Sequence, residues 1–221
     1  MTAVQLINHS LEAHGGKDAW DSVEEISYSK RTILYDSLGT IESDQTKIHA
    51  YSYRPTFTAT MTWDQDSVHY QVNYSEEKTT LFLNDSLAQD AAIKQKFEKE
   101  VRGAYYVYWM PYKLLDANAE NTYEGLKFHP ELGDVHVLKV RYPDSENVWW
   151  YYFDSQTFKL RGNTVHHRPT YSFIENTKIE TETGLSLNTE RSSYRVDSIG
   201  TIQFKRAVYY YNILDIVLAT N

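Results

Sequence analysis

The side chains able to hold a metal or move a proton in this sequence are eight histidines and several adjacent carboxylates. His9 and His14 stand five apart, which turns them to different faces of a helix, and both are expected at the surface. His166 and His167 fall in an expected strand, where neighbours project to opposite faces and cannot grip one ion. Asp64 and Asp66 match the opening of a calcium loop, but Val68 stands where another oxygen ligand is needed, so a hairpin turn is expected instead. Glu24-Glu25 and Glu76-Glu77 lack an evident partner across a sugar and read as solvated edges. Gly184-Leu185-Ser186-Leu187-Asn188 lacks the second glycine of a nucleophile elbow. No GxGxxG, Walker lysine loop or His-Glu-x-x-His occurs, and the absence of cysteine excludes thiol catalysis, thiolate metal sites and disulfides. The expectation is a protein that is not an enzyme, with no catalytic residue, no metal site and no cofactor.

The aromatic residues are the remaining candidates: 19 Tyr, 8 Phe and 5 Trp. Trp149-Trp150-Tyr151-Tyr152-Phe153 places rings on both faces of one strand, so one face can serve the core and the other a pocket, a helix or a partner. Ala104-Tyr105-Tyr106-Val107-Tyr108-Trp109-Met110 is too aromatic for a solvated loop and must pack against something apolar.

The elements that position these residues follow from periodicity. Val4, Ile7 and Leu11 recur at helical spacing before Gly15-Gly16, a left-handed helix end. Residues 17–23 add a turn that presents Trp20 and Val23. Beyond Ile26 the pattern is β. Phe57, Ala59, Met61 and Trp63 alternate with threonines, and after a turn Val68, Tyr70, Val72 and Tyr74 alternate with His69, Gln71 and Asn73. Asn84-Asp85-Ser86 is expected to cap a second helix over 87–102, with Leu87, Ala91, Ile93, Phe97 and Val101 inward and Gly103 closing it. Strands are expected at 135–142, 147–154, 158–166, 171–182, 185–196 and 202–211, separated by turns such as Pro143-Asp144-Ser145. About ten antiparallel strands curl and try to close. The fold class is therefore mainly β (α+β): a curled antiparallel sheet with helices over its concave face, a two-sheet sandwich being the competitor.

Length and composition set the remaining bounds. The 221 residues, 41% hydrophobic and 24% charged, suit a globular chain of one domain or two small ones. A net charge of −8 with no Lys/Arg block excludes nucleic acid as a partner. No run reaches the ~18 apolar residues of an integral membrane segment. Met1 leads straight into Thr2-Ala3-Val4-Gln5 without a signal sequence. A cytoplasmic location is expected if Met1 is native, and a periplasmic or outer-membrane-associated one if a leader was removed.

Four segments carry a resemblance. Ala13-His14-Gly15-Gly16 followed by Trp20 and Val23 resembles the AHGG-x-x-x-W-x-x-V opening of bacterial proteins related to the LolA/LolB lipoprotein-sorting group. Pro111-Tyr112-Lys113-Leu114-Leu115-Asp116 is similar to their P-[FY]-K-L-L-D segment, and Val137-Leu138-Lys139-Val140 and Trp150-Tyr151-Tyr152-Phe153-Asp154 resemble the strands that follow. The resemblance implies one LolA/LolB-like domain over 1–221, an unclosed barrel with a helical lid inserted at about 86–116. It also implies an apolar cavity of the kind that receives acyl chains.

The functional expectation is a non-enzymatic carrier for an apolar small molecule, a lipid or lipoprotein acyl chains. Its candidate ligand-binding residues are Phe57, Met61, Trp63, Tyr70, Val72, Trp109 and Met110. The alternatives are a carbohydrate-binding or adhesion β-sandwich that uses exposed aromatics, and an enzyme assembled from dispersed His, Glu and Tyr.

Overall fold

A computed structural model describes residues 1–76, 78–143 and 145–219. The Glu76-Glu77 pair and the Pro143-Asp144-Ser145 turn include Glu77 and Asp144, which lie outside the described residues. Helices α1 (Ala3–Ala13) and α2 (Lys17–Asp21) precede β1 (Val23–Tyr35), β2 (Ile41–Ser52), β3 (Thr58–Gln65), β4 (Val68–Ser75), β5 (Thr79–Leu83) and β6 (Ser86–Leu87). Helix α3 (Ala91–Tyr108) and a 3₁₀ turn (Tyr112–Leu115) lead into β7 (Glu120–His129), β8 (Gly133–Arg141), β9 (Val148–Asp154) and β10 (Leu160–His167). The chain ends with β11 (Thr170–Glu180), β12 (Leu187–Val196) and β13 (Ile202–Leu218).

The strands form one 13-stranded sheet in the order β6-β5-β4-β3-β2-β1-β13-β12-β11-β10-β9-β8-β7. Its end strands β6 and β7 are not paired with each other, so the sheet is not closed into a barrel. The unclosed antiparallel sheet expected from the sequence is the observed fold, with thirteen strands among the described residues rather than about ten. By its contacts the chain divides into a first unit (Met1–Trp20, Ile33–Asp44, Met110–Tyr209) and a second (Asp21–Thr32, Gln45–Trp109, Tyr210–Asn221).

In the first unit, α1 opens on a capping box: Gln5 N–H donates to Thr2 Oγ1, and Thr2 N–H to Gln5 Oε1. It ends in a Schellman motif, with Gly16 N–H donating to Leu11 O and Gly15 N–H to Glu12 O. Gly15, at the position where that ending requires a positive φ, has +110°, and Gly16 after it has +86°. The buried stripe is Leu6, Ile7, Ser10 and Leu11; Val4, expected inward, is 65% exposed. The capping box places Thr2 at the helix start, so Val4 lies in the first turn, where Leu6 takes the inward position.

The second unit confirms the hairpin parity. Met61 pairs with Val72 and Trp63 with Tyr70 on one face; Thr60 pairs with Asn73 and Thr62 with Gln71 on the other. Met61, Trp63 and Val72 are buried, whereas Phe57 and Tyr70 are half-buried. Asp66 and Ser67 form the turn with φ of +51° and +64°, the conformation that matches the twist of a two-residue hairpin.

The expected helix start at Asn84 is corrected. Asn84 and Asp85 have φ of +46° and +65° and close a second hairpin between β5 and β6. Asn84 Oδ1 accepts from His69 N–H. The helix begins at Asp90, whose Oδ1 accepts from Ala92 and Ile93 N–H. Leu87 and Ile93 are therefore exposed, and only Phe97 and Val101 of the expected inward set are buried. Gly103 does not close the helix, which runs on through the aromatic segment to Tyr108. Removing the Asp90 cap with Ala should cost about 1 kcal/mol, read as a lower urea midpoint at unchanged m.

Candidate functional site

In the second unit α3 packs against β3, β4 and β5. Phe97 meets Trp63 at 4.9 Å and Tyr70 at 6.3 Å between ring centroids, and these two stack on each other at 4.7 Å. Met61 and Val72 share that face, both fully buried. Farther along, Tyr105 lies 4.5 Å from Phe57 and 5.3 Å from Tyr51, while Trp109 stacks on Tyr53 at 4.8 Å. The structure thus brings Met61, Trp63, Tyr70 and Val72 together under Phe97, and Phe57 and Trp109 into an adjoining aromatic group. Met110, also buried, belongs to the first unit.

Polar contacts fasten the rim of this layer. Lys47 Nζ donates to Glu100 and sits 4.1 Å over the Trp63 ring, while Thr79 Oγ1 donates to Glu98. Glu98 and Glu100 thus turn to the strands. Gly103 sits inside α3 with nothing within 4 Å of where a Cβ would stand, a position that weakens the helix by about 1 kcal/mol relative to Ala.

In the same layer, where Tyr28 meets Tyr108 of α3 at 3.9 Å, the Tyr28 and Tyr51 hydroxyls lie 3.1 Å apart, and Tyr51 Oη is 3.3 Å from His49 Nδ1. Burial pushes both phenols up and holds His49 down to about 3, with Lys30 and Lys47 adding to the effect. At neutral pH the three groups are uncharged, a compact hydrogen-bonded cluster joining β1 and β2.

The first unit carries a pocket of about 330 Å³ on the sheet face opposite α1. Trp150, Tyr152, Phe173, Val135, Val137 and Val196 line it. Tyr151 and Phe153 on the same strand are buried on the other face, so the aromatic run does serve both sides of β9. That other face carries α1: His9 stacks on Phe158 at 4.8 Å, and Phe158 on His136 at 5.3 Å, the residue paired with Phe153.

His14, expected at the surface, is 3% exposed. Its Nδ1–H donates to Ser10 O at 2.7 Å and its Nε2 accepts from Leu160 N–H at 3.4 Å, while its carbonyl accepts from Ser186 N–H and Trp20 Nε1–H. Desolvation lowers its pKa to about 4, with the Lys159 charge assisting. Trp20 also stacks on Tyr112 at 6.0 Å, and Lys113 pairs with Asp116. The two most recognisable sequence segments therefore meet in a structural joint. His166 stacks on Tyr171 while His167 meets Trp149 edge-on. Among the described residues no group of three or more His, Asp or Glu is placed to hold a metal ion.

By sequence the chain matches no protein-family model and no curated protein. Its fold is similar to solved structures. A LolA superfamily protein from Nitrosomonas europaea superposes with a TM-score of 0.62 at 9% identity, over 100% of this chain and 95% of that one. A DUF1329 family protein from Desulfovibrio piger gives 0.57 at 8% identity, over 98% and 92%. An outer membrane lipoprotein-sorting protein domain from Vibrio parahaemolyticus gives 0.55 at 11% identity, over 99% and 94%. The chain has a LolA-like fold.

Proposed function

We propose that the protein is a non-enzymatic carrier that holds an apolar ligand, an acyl chain of a lipid or lipoprotein, between α3 and the faces of β3 and β4. The carrying observation is α3 itself. It lays Phe97, Val101 and Tyr105 on an apolar sheet face, it is fastened at its rim by the Lys47–Glu100 and Thr79–Glu98 contacts, and Gly103 weakens its middle. The surface beneath it is apolar, as acyl chains require. The likeness to a lipoprotein-sorting domain supports this class of ligand. A periplasmic or outer-membrane-associated location belongs to the same reading; among the described residues no helix is long and apolar enough to cross a membrane.

Titration with Nile red, a neutral apolar dye, tests the proposal. Saturable binding is expected. Trp109→Glu should weaken it at least tenfold, Lys96→Glu, on the solvent side of α3, should leave it unchanged, and Glu100→Ala should tighten it by a few-fold through loss of the Lys47 latch. Absence of saturable binding of Nile red and of hexadecanoate would overturn it.

A further inference from the structure

Three strands of the first unit bury a charge that has no opposite charge beside it. Arg191, 6% exposed in β12, donates from Nε to Asn176 Oδ1 at 2.8 Å and from Nη2 to Asn163 Oδ1 at 2.9 Å. Asn176 in turn donates from Nδ2 to Leu160 O at 3.0 Å. These are neutral acceptors. Among the described residues no carboxylate lies within ion-pair distance of the guanidinium, and its remaining N–H groups have no protein acceptor. Removing a cation from water costs several kcal/mol unless an anion and a full set of hydrogen bonds compensate it, and two amide oxygens supply only part of that.

A second observation stands beside it. Asn163, 4% exposed, has a buried Nδ2 with no hydrogen-bond partner among the described residues. Its orientation is fixed by chemistry, since a guanidinium only donates and so must face the amide oxygen, turning the NH₂ away. Asn163 pairs with Tyr151, on the sheet face that carries α1. A guanidinium with N–H groups to spare and a buried, unpartnered amide donor are thus joined through one side chain, Asn163. Both deficits are met by one kind of group, an anion with two or more oxygens.

We infer that Arg191 and Asn163 form a receiving site for an anionic oxygen group, a carboxylate or a phosphate. Arg191 supplies a planar fork of donors and the charge, Asn163 Nδ2 a further donor, and Asn176 holds the guanidinium in place by tying Nε to the backbone at Leu160. The inference does not depend on an apolar ligand lying under α3.

Calorimetric titration of the full chain with inorganic phosphate, acetate, decanoate, decyl phosphate and, as the neutral control, decanol tests it. At least one anion should bind, and Arg191→Met should weaken that binding tenfold or more while leaving decanol unchanged. Binding of phosphate or acetate identifies a free anion as the ligand. Binding of decanoate or decyl phosphate without the short anions identifies the charged end of an apolar molecule. Arg191→Met also leaves the buried Asn176 and Asn163 oxygens without their donor, so its Tm should fall. Asn163→Asp serves if Arg191→Met does not fold. It keeps the acceptor for Arg191, supplies an internal anion, and should raise Tm while weakening anion binding tenfold or more. Anion affinities equal in the parent and Asn163→Asp proteins, or no anion binding to the parent, would overturn the inference.

Discussion

Gly15→Val is expected to destabilise the protein by on the order of 4 kcal/mol or more, the range reserved for disrupted packing. Two effects act together. The backbone there has φ of +110°, a conformation that L side chains rarely adopt. A Cβ would also stand 2.4 Å from Gly184 O and 3.2 Å from Leu185 Cα, both backbone atoms that no rotamer change can move. The joint that receives His14 and Trp20 would have to open. Gly39 is the control: its φ of +83° is strained for any side chain, but nothing lies within 4 Å, so Gly39→Val should cost only about 1–2 kcal/mol. Urea midpoints of the two variants at a common m measure the difference, and equal midpoints would refute the close approach at Gly15.

A second large effect is expected in acid. His14 and His49 are buried as neutral rings with pKa values near 4 and 3, below the ordinary 6.5 of an unfolded histidine. Between those values the unfolded chain binds protons that the native chain refuses, so stability is full above pH 6.5 and falls as the pH drops. Each pH unit so crossed costs about 1.4 kcal/mol per histidine, or about 3 kcal/mol each by pH 4. His129, His136 and His167, also lowered by desolvation, contribute with the same sign. Asp36, Asp154 and Asp197 accept backbone N–H bonds that lower their pKa, so their contribution is lost only at more acidic pH. His49→Phe keeps a ring against Tyr28 and should flatten the slope of unfolding free energy between pH 6 and 4.5 by about one proton. An unchanged slope would mean that His49 titrates normally.

What the sequence made legible was local. Alternation assigned the two faces of the β3–β4 hairpin because one face is apolar and the other polar, and a slip of one residue would reverse both. The glycine pair announced a left-handed helix end because no other residue adopts that conformation without cost. Asn84-Asp85-Ser86 misled because the same residue types cap helices and make hairpin turns; the pairing of β5 with β6 decided between them. Gly103 misled because packing of the aromatic segment outweighs the weak preference of one glycine. His14 looked like a surface residue because its burial depends on Leu160 and Ser186, far along the chain. The Arg191–Asn163–Asn176 cluster gave no local signal, since its members come together only through strand register.

For the candidate site, the sequence identified the residues of one sheet face and the aromatic segment of α3, but not the pocket at Trp150 and Tyr152, whose walls come from six strands. Those two places can be told apart by one measurement, amide hydrogen exchange with and without hexadecanoate. The account predicts that the ligand changes exchange in α3 and in β3 and β4, which face it, and leaves β8 to β11 as they were. Changes confined to the strands around Trp150 and Phe173, or none in α3, would contradict an apolar ligand held beneath that helix.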